Sequence, residues 1–151
     1  MDINIREAER EDIERIVVFQ EHMAEETEGL VLDHKTVTKG VEAVFNDPWK
    51  GIYFVAEAGG KLFASLLITF EWSDWRNSNV WWFQSVYVLP EYRRKGIFRK
   101  MYEHIRQLAV NSGIAGLRLY VESNNSRAHK TYEALGMNCD HYRMYEWLKE
   151  V

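Results

Sequence analysis

Apolar and polar positions alternate at Ile3-Asn4-Ile5-Arg6, which predicts a short first strand. Ile13, Ile16, Val17, Phe19, Gln20 and Met23 then recur at helical spacing to about Glu25, and Glu26-Thr27-Glu28-Gly29 breaks the rhythm. Asp33 is placed to cap a second helix through Val37, Val41, Val44 and Phe45, which Asp47-Pro48 ends. Ile52 to Glu57 is strand-like, Gly59-Gly60 is a hairpin signal, and Leu62 to Phe70 is the returning strand. Ser73 to Ser78 is loop-like, and Val80 to Val88 is a third long strand stopped at Pro90.

The second half changes rhythm. Ile97, Phe98, Met101, Tyr102, Ile105, Leu108 and Ala109 repeat at steps of three and four and predict a helix after the Pro90–Gly96 loop. Leu117 to Val121 reads as a strand, Ser126 to Leu135 as a helix, and Cys139 to Trp147 as a last strand. The order is therefore βααβββαβαβ, antiparallel hairpins followed by alternation that implies parallel crossovers. The class is α/β with a mixed sheet. At 151 residues, with no linker, repeat or low-complexity stretch, residues 1–151 read as one domain.

Composition narrows the function classes. The chain is 46% hydrophobic and 28% charged, an ordinary globular balance, and its 14% aromatic content with six Trp points to a large core or an aromatic-lined pocket. One cysteine cannot make an internal disulfide, and no Cys/His set has zinc spacing, so no metal is expected. No apolar run approaches the ~20 residues of a membrane span, and Met1-Asp2-Ile3-Asn4 lacks signal-peptide layout, so a cytoplasmic protein without membrane association is expected. The net charge of −4 argues against nucleic acid as a partner. That total hides an asymmetry: residues 1–60 carry 14 acids and 6 bases, residues 91–151 carry 7 acids and 11 bases. Either the two parts meet ligands of opposite sign, or the imbalance is confined to the linear order.

The sharpest local signal is Val86-Tyr87-Val88-Leu89-Pro90-Glu91-Tyr92-Arg93-Arg94-Lys95-Gly96-Ile97-Phe98-Arg99. A buried strand runs into a basic loop with one glycine, and the loop opens a helix. Backbone N–H groups at such a helix start make an anion site; a solvated basic loop capping a helix is the plainer alternative. The spacing is neither that of a Walker loop nor that of a dinucleotide fingerprint.

Arg93-Arg94-Lys95-Gly96-Ile97-Phe98 resembles the acyl-CoA loop of the GNAT superfamily of N-acetyltransferases, with Phe98 where the family has a small residue. Asn125-Ser126-Arg127-Ala128-His129-Lys130-Thr131-Tyr132-Glu133-Ala134-Leu135-Gly136-Met137 is similar to a second segment of the family, with Met137 in place of Phe. The element order agrees from end to end. The resemblance implies acetyl-CoA as cosubstrate and a small-molecule amine as acceptor, joined by direct transfer in a ternary complex. It implies that the main chain of Val86 and Val88 holds the pantetheine arm and thioester. It also implies that Arg93, Arg94, Lys95, Gly96, Ile97, Phe98 and Arg99 bind pyrophosphate, that Asn125 contributes to the cofactor site, and that Tyr132 is the general acid. Phe98 is expected to turn into the core, since it is too bulky to face a close phosphate.

The proton acceptor is open. The position where several relatives carry Glu is Gln84 here, and an amide takes no proton. Glu71 can act through water or pair with an ammonium, or it is a rim carboxylate paired with Arg76; bulk water is a further route. Trp72, Trp75, Trp81, Trp82 and Phe83 crowd twelve positions, and alternation sends Trp81 and Phe83 to one face and Trp82 and Gln84 to the other. Trp72 and Trp75, with Gln84 and the acidic Glu26 stretch, are the candidate contacts for a cationic or amino-acid-like amine. Gln84 and Phe98 also leave room for a non-catalytic acyl-CoA sensor. The aromatic stretch Tyr142-Arg143-Met144-Tyr145-Glu146-Trp147 offers a contact surface for a homodimer.

Overall fold

The computed structural model describes residues 2–150. Along the chain run β1 (Asn4–Glu7), α1 (Ile13–Glu28), α2 (His34–Asn46), β2 (Ile52–Ala58), β3 (Lys61–Ser73), β4 (Ser78–Val88), α3 (Ile97–Asn111), β5 (Gly116–Arg118) and α4 (Ser126–Ala134). Two compact units divide the chain after Leu119. The first holds one five-stranded sheet in the order β1-β2-β3-β4-β5. Its first three ladders are antiparallel and the β4–β5 ladder is parallel, as hairpins followed by a helical crossover require. The predicted mixed α/β class and the order of its elements through α4 are thus observed.

Local chemistry explains the boundaries. Asp33 accepts the Thr36 amide at 3.0 Å and starts α2, as the sequence suggests. Gly59 and Gly60, both at positive φ, close the β2–β3 hairpin. α1 runs past its expected end, so that Glu26 lies in its last turn and Gly29, in the left-handed region, stops it.

Each sheet face has its own core. Tyr53, Val55, Leu62, Tyr87 and Leu89 pack with Ile16, Val17 and Phe19 of α1 and Val41 of α2. On the other face Phe83 stacks on Tyr102 of α3 with centroids 5.6 Å apart, and Phe54 meets His104 edge-on. Phe83 and Tyr87 are four positions apart, which in a regular strand would place them on one side. A bulge separates them. Leu67 pairs with Gln84 and Ser65 with Tyr87, so Ser85 and Val86 together oppose Leu66, and Ser85 takes φ 51°.

Two expectations are corrected. β5 is only Gly116–Arg118 instead of extending to Val121, because its ladder ends at Trp82–Arg118, just short of where the bulge bends β4. Residues 139–147 are not a strand among the described residues: their aromatic pattern favours one, but a strand exists only through a ladder, and none includes them.

Candidate active site

The end of β4 is built from main chain. Val86 has no partner in the β3 register, and no ladder with β5 continues beyond Trp82. Leu89 N–H donates to the Phe63 carbonyl at 2.9 Å, a short 3-10 turn follows over Pro90–Tyr92, and Arg93 N–H donates to the Pro90 carbonyl at 3.3 Å. Arg94 and Gly96 then adopt φ 62° and 77°, and α3 begins with no side chain capping its first amides. Glycine is suited to position 96 because the left-handed region strains any residue with a Cβ. Backbone donors at the start of α3, beside the exposed Arg94, Lys95 and Arg99, form a donor set that fits a diphosphate. Phe98 does turn away, its ring meeting Phe83 at 6.1 Å and Tyr102 at 6.4 Å.

Arg93 is used differently from its basic neighbours. Its Nε donates to the Val88 carbonyl at 2.8 Å, its guanidinium pairs with Glu26 at 3.0 Å, and its charge lies 5.4 Å from the Tyr87 ring centroid. The nearby Tyr87 hydroxyl, then Arg93, keep the Glu26 carboxyl below its ordinary value. Burial, then Glu26, pushes the Tyr87 phenol up to about 12. Glu26, expected among the substrate contacts, is thus ion-paired to the loop arginine, and the Arg93 side chain ties the loop to α1.

Before the bulge, the α1/α2 face of the sheet carries a side-chain cluster. Glu71 accepts Trp82 Nε1–H at 2.7 Å and Arg118 at 2.8 and 2.9 Å, and these donors, Trp82 first, hold its carboxyl below its ordinary value. Its ion-pair partner is Arg118 and not Arg76, whose guanidinium donates to Ser73 Oγ at 3.2 Å. A carboxylate so held stays ionised and is a poor proton acceptor. Two residues along, Gln84 Nε2 donates to Thr69 Oγ1 at 3.2 Å. Trp82 and Gln84 therefore share the face that alternation assigns them. Trp72 and Trp75 do not join them: Trp72 is one residue out of phase with Glu71 and points to the opposite face, while Trp75, 93% exposed, sits at the hairpin tip. Sequence reasoning missed Arg118 and Tyr87. The first is found only once the parallel register sets Arg118 beside Trp82, and the second only once the bulge is known.

In the second unit, Asn125 Oδ1 accepts the Ala128 amide at 3.1 Å and caps α4, so the Asn of the motif starts the helix that carries Tyr132. His129 Nε2 lies 3.2 Å from the Glu122 carbonyl. Tyr132 is half-buried, and burial pushes its phenol above the ordinary value, so it stays protonated at neutral pH.

Comparison with known proteins bears on the fold as a whole. The model of the acetyltransferase (GNAT) family matches residues 9–137. The thialysine N-epsilon-acetyltransferase of Bos taurus is 39% identical over 70 residues, covering 46% of this chain and 41% of that protein. The mycothiol acetyltransferase of Corynebacterium aurimucosum is 30% identical over 109 residues, covering 70% of this chain and 36% of that protein. The chain thus spans less than half the length of either relative. A crystal structure described as a possible acetyltransferase from Clostridium difficile 630 is 46% identical with a TM-score of 0.90, covering 99% of both chains. The family model covers most of the chain, and the chain belongs to the acetyltransferase (GNAT) family.

Proposed function

We propose that this protein moves an acetyl group from acetyl-CoA to a primary amine of a small cationic or amino-acid-like substrate, by direct attack in a ternary complex. The carrying observation is the bulge in β4, which leaves Val86 outside the β3 register directly before the loop that opens α3. Acetyl-CoA supplies the activated thioester. The amides at the start of α3, with Arg94, Lys95 and Arg99, hold its diphosphate, and Gly96 sets their direction. The unladdered edge of Val86–Val88 pairs with the pantetheine arm, and the Val86 N–H stabilises the developing oxyanion. Donors of this kind contribute about 100–1,000-fold in rate.

Glu71, anionic between Trp82 and Arg118, attracts the ammonium form of the acceptor. The attacking amine must be neutral, and water takes its proton, Gln84 orienting that water through its amide. Tyr132, kept protonated by burial, gives its proton to the departing thiolate, whose basicity it roughly matches. Similarity to a thialysine N-epsilon-acetyltransferase supports an amine acceptor with amino-acid character.

Calorimetry with acetyl-CoA, followed by thiol release on a panel of polyamines, lysine analogues and other primary amines, tests this reading. Binding with thiol release from at least one amine is expected. Tight binding with no release from any amine favours a sensor, and absence of binding overturns the reading. Tyr132→Phe should lower turnover by about 100-fold or more while the acetyl-CoA Kd stays within twofold, in line with general acid catalysis. Unchanged turnover removes Tyr132 from the mechanism.

A further inference from the structure

A second group of cations stands beside the loop that opens α3, and one member comes from a different hairpin. Lys61 is the first residue of β3, directly after the Gly59-Gly60 turn. Its Nζ lies 5.2 Å from the Tyr92 ring centroid, 5.7 Å from that of Phe63 and 3.5 Å from the Tyr92 hydroxyl. Lys95 Nζ lies 5.5 Å from the same Tyr92 centroid. The ring is held in place: its centroid is 4.2 Å from that of Phe63, which is buried and whose carbonyl accepts the Leu89 amide at the end of β4.

Two ammonium groups on one phenol ring repel each other. They are no farther apart than the two ring distances taken together, on the order of the ~10 Å over which charges act in 0.1 M salt. The attraction of an exposed ammonium to a ring face is weak. Among the described residues no carboxylate is ion-paired to either lysine, although Glu91 belongs to the same 3-10 turn as Tyr92. Each ammonium carries three N–H donors, and the Lys61 contact to the Tyr92 hydroxyl is at the limit of hydrogen-bonding distance. An anion between them turns the repulsion into attraction and takes up those donors.

The neighbouring loop narrows the kind of anion. Amides at the start of α3 suit a diphosphate, and CoA carries one further phosphate, a monoester on the 3′-oxygen of the ribose whose 5′-oxygen bears that diphosphate. One sugar ring separates the two groups, so the partners of the monoester must lie next to the helix start. Lys95 adjoins Gly96, and Tyr92 sets Lys61 beside it. A phosphate monoester carries about −1.5 to −2 at pH 7, a concentrated charge that compact ammonium groups match. On the reading that the loop holds the acetyl-CoA diphosphate, we infer that Lys61, with Lys95 beside Tyr92, binds the 3′-phosphate of CoA. The pair distinguishes CoA and its thioesters from the 3′-dephospho forms, and it makes the β2–β3 hairpin part of the cosubstrate site.

Calorimetry with CoA and with 3′-dephospho-CoA tests this without any acetyl transfer. The wild-type chain should bind CoA about tenfold more tightly than the dephospho form, and added salt should shrink that ratio. Lys61→Gln keeps much of the stem and removes the charge. It should weaken CoA about fivefold, the upper range for an exposed charge pair, while the dephospho-CoA Kd stays within twofold. Lys61→Arg should restore most of the preference. A wild type that binds both forms equally overturns the inference and leaves the acetyl-CoA reading standing. So does a Lys61→Gln variant that weakens both forms alike, which makes Lys61 a structural residue of the hairpin, or one that weakens neither. Absence of binding by either form to the wild type strikes the diphosphate reading itself, and this inference with it.

Discussion

β4 presents two different kinds of surface on either side of its bulge. After Ser85–Val86 the site is main chain: a strand edge without a ladder, then amides at a helix start, with side chains adding charge only in general terms. Before the bulge it is made of side chains, with Glu71 locked between Trp82 and Arg118 and Gln84 bonded to Thr69. A main-chain site recognises what all its ligands share, and it tolerates side-chain change so long as the backbone path is kept. A side-chain site discriminates, and each residue can be exchanged without disturbing the fold. The first suits an invariant donor and the second a variable acceptor.

Substitutions separate the two surfaces, and the largest effect is expected on the main-chain side. Gly96→Val forces a β-branched residue into φ 77°. The left-handed region costs roughly 1–2 kcal/mol, so the acetyl-CoA Kd should rise about tenfold while the amine KM barely moves. An unchanged Kd by calorimetry would show that the loop does not carry the diphosphate. Glu71→Gln acts on the other side, raising the KM for a cationic amine about fivefold, as expected for losing ~1 kcal/mol from a partly exposed charge pair, without affecting acetyl-CoA. The pH profile sharpens this. Since Glu71 titrates below its ordinary value, it stays charged through the neutral and alkaline range, and the rise of kcat/KM with pH should follow the amine alone. A limb of the profile that disappears in Glu71→Gln would make Glu71 the base after all.

Arg93 stands between the two surfaces. Arg93→Ala removes its bonds to Val88 and Glu26 and should raise the acetyl-CoA KM about threefold, roughly 0.7 kcal/mol and within the range of one net hydrogen bond. A larger change in the amine KM than in the acetyl-CoA KM would move Glu26 back to the acceptor side. Trp75→Ala should leave both constants within twofold, since the ring lies at the β3–β4 turn. A marked loss in steady-state assays would return the hairpin tip to the acceptor site.

The same contrast decides what could be read without coordinates. The loop from Arg93 to Arg99 is legible because a helix start and a positive-φ glycine leave their mark within a few consecutive residues. Asp33 and the Gly59-Gly60 turn are legible for the same reason. Arg118 is not, since nothing local to it tells that a parallel ladder sets it beside Trp82 and within reach of Glu71. Trp72 misleads for a related reason: crowding of tryptophans in the sequence suggests a common wall, yet a shift of one residue puts Trp72 on the far face from Glu71. The strand expected at 139–147 shows the remaining limit, because propensity describes a segment while a ladder needs two.

The extra residue in β4 also restricts how this chain can change in length. Deleting Ser85 or Val86 would advance the phase of all that follows, carrying Tyr87 away from Phe19 and toward the layer that holds Tyr102. Both hydrophobic layers would be mispacked by one event, and the loop would leave the strand from the wrong side. Exchanges at Val86, and at Ser85 those that tolerate φ 51°, can be absorbed, whereas a shorter β4 cannot.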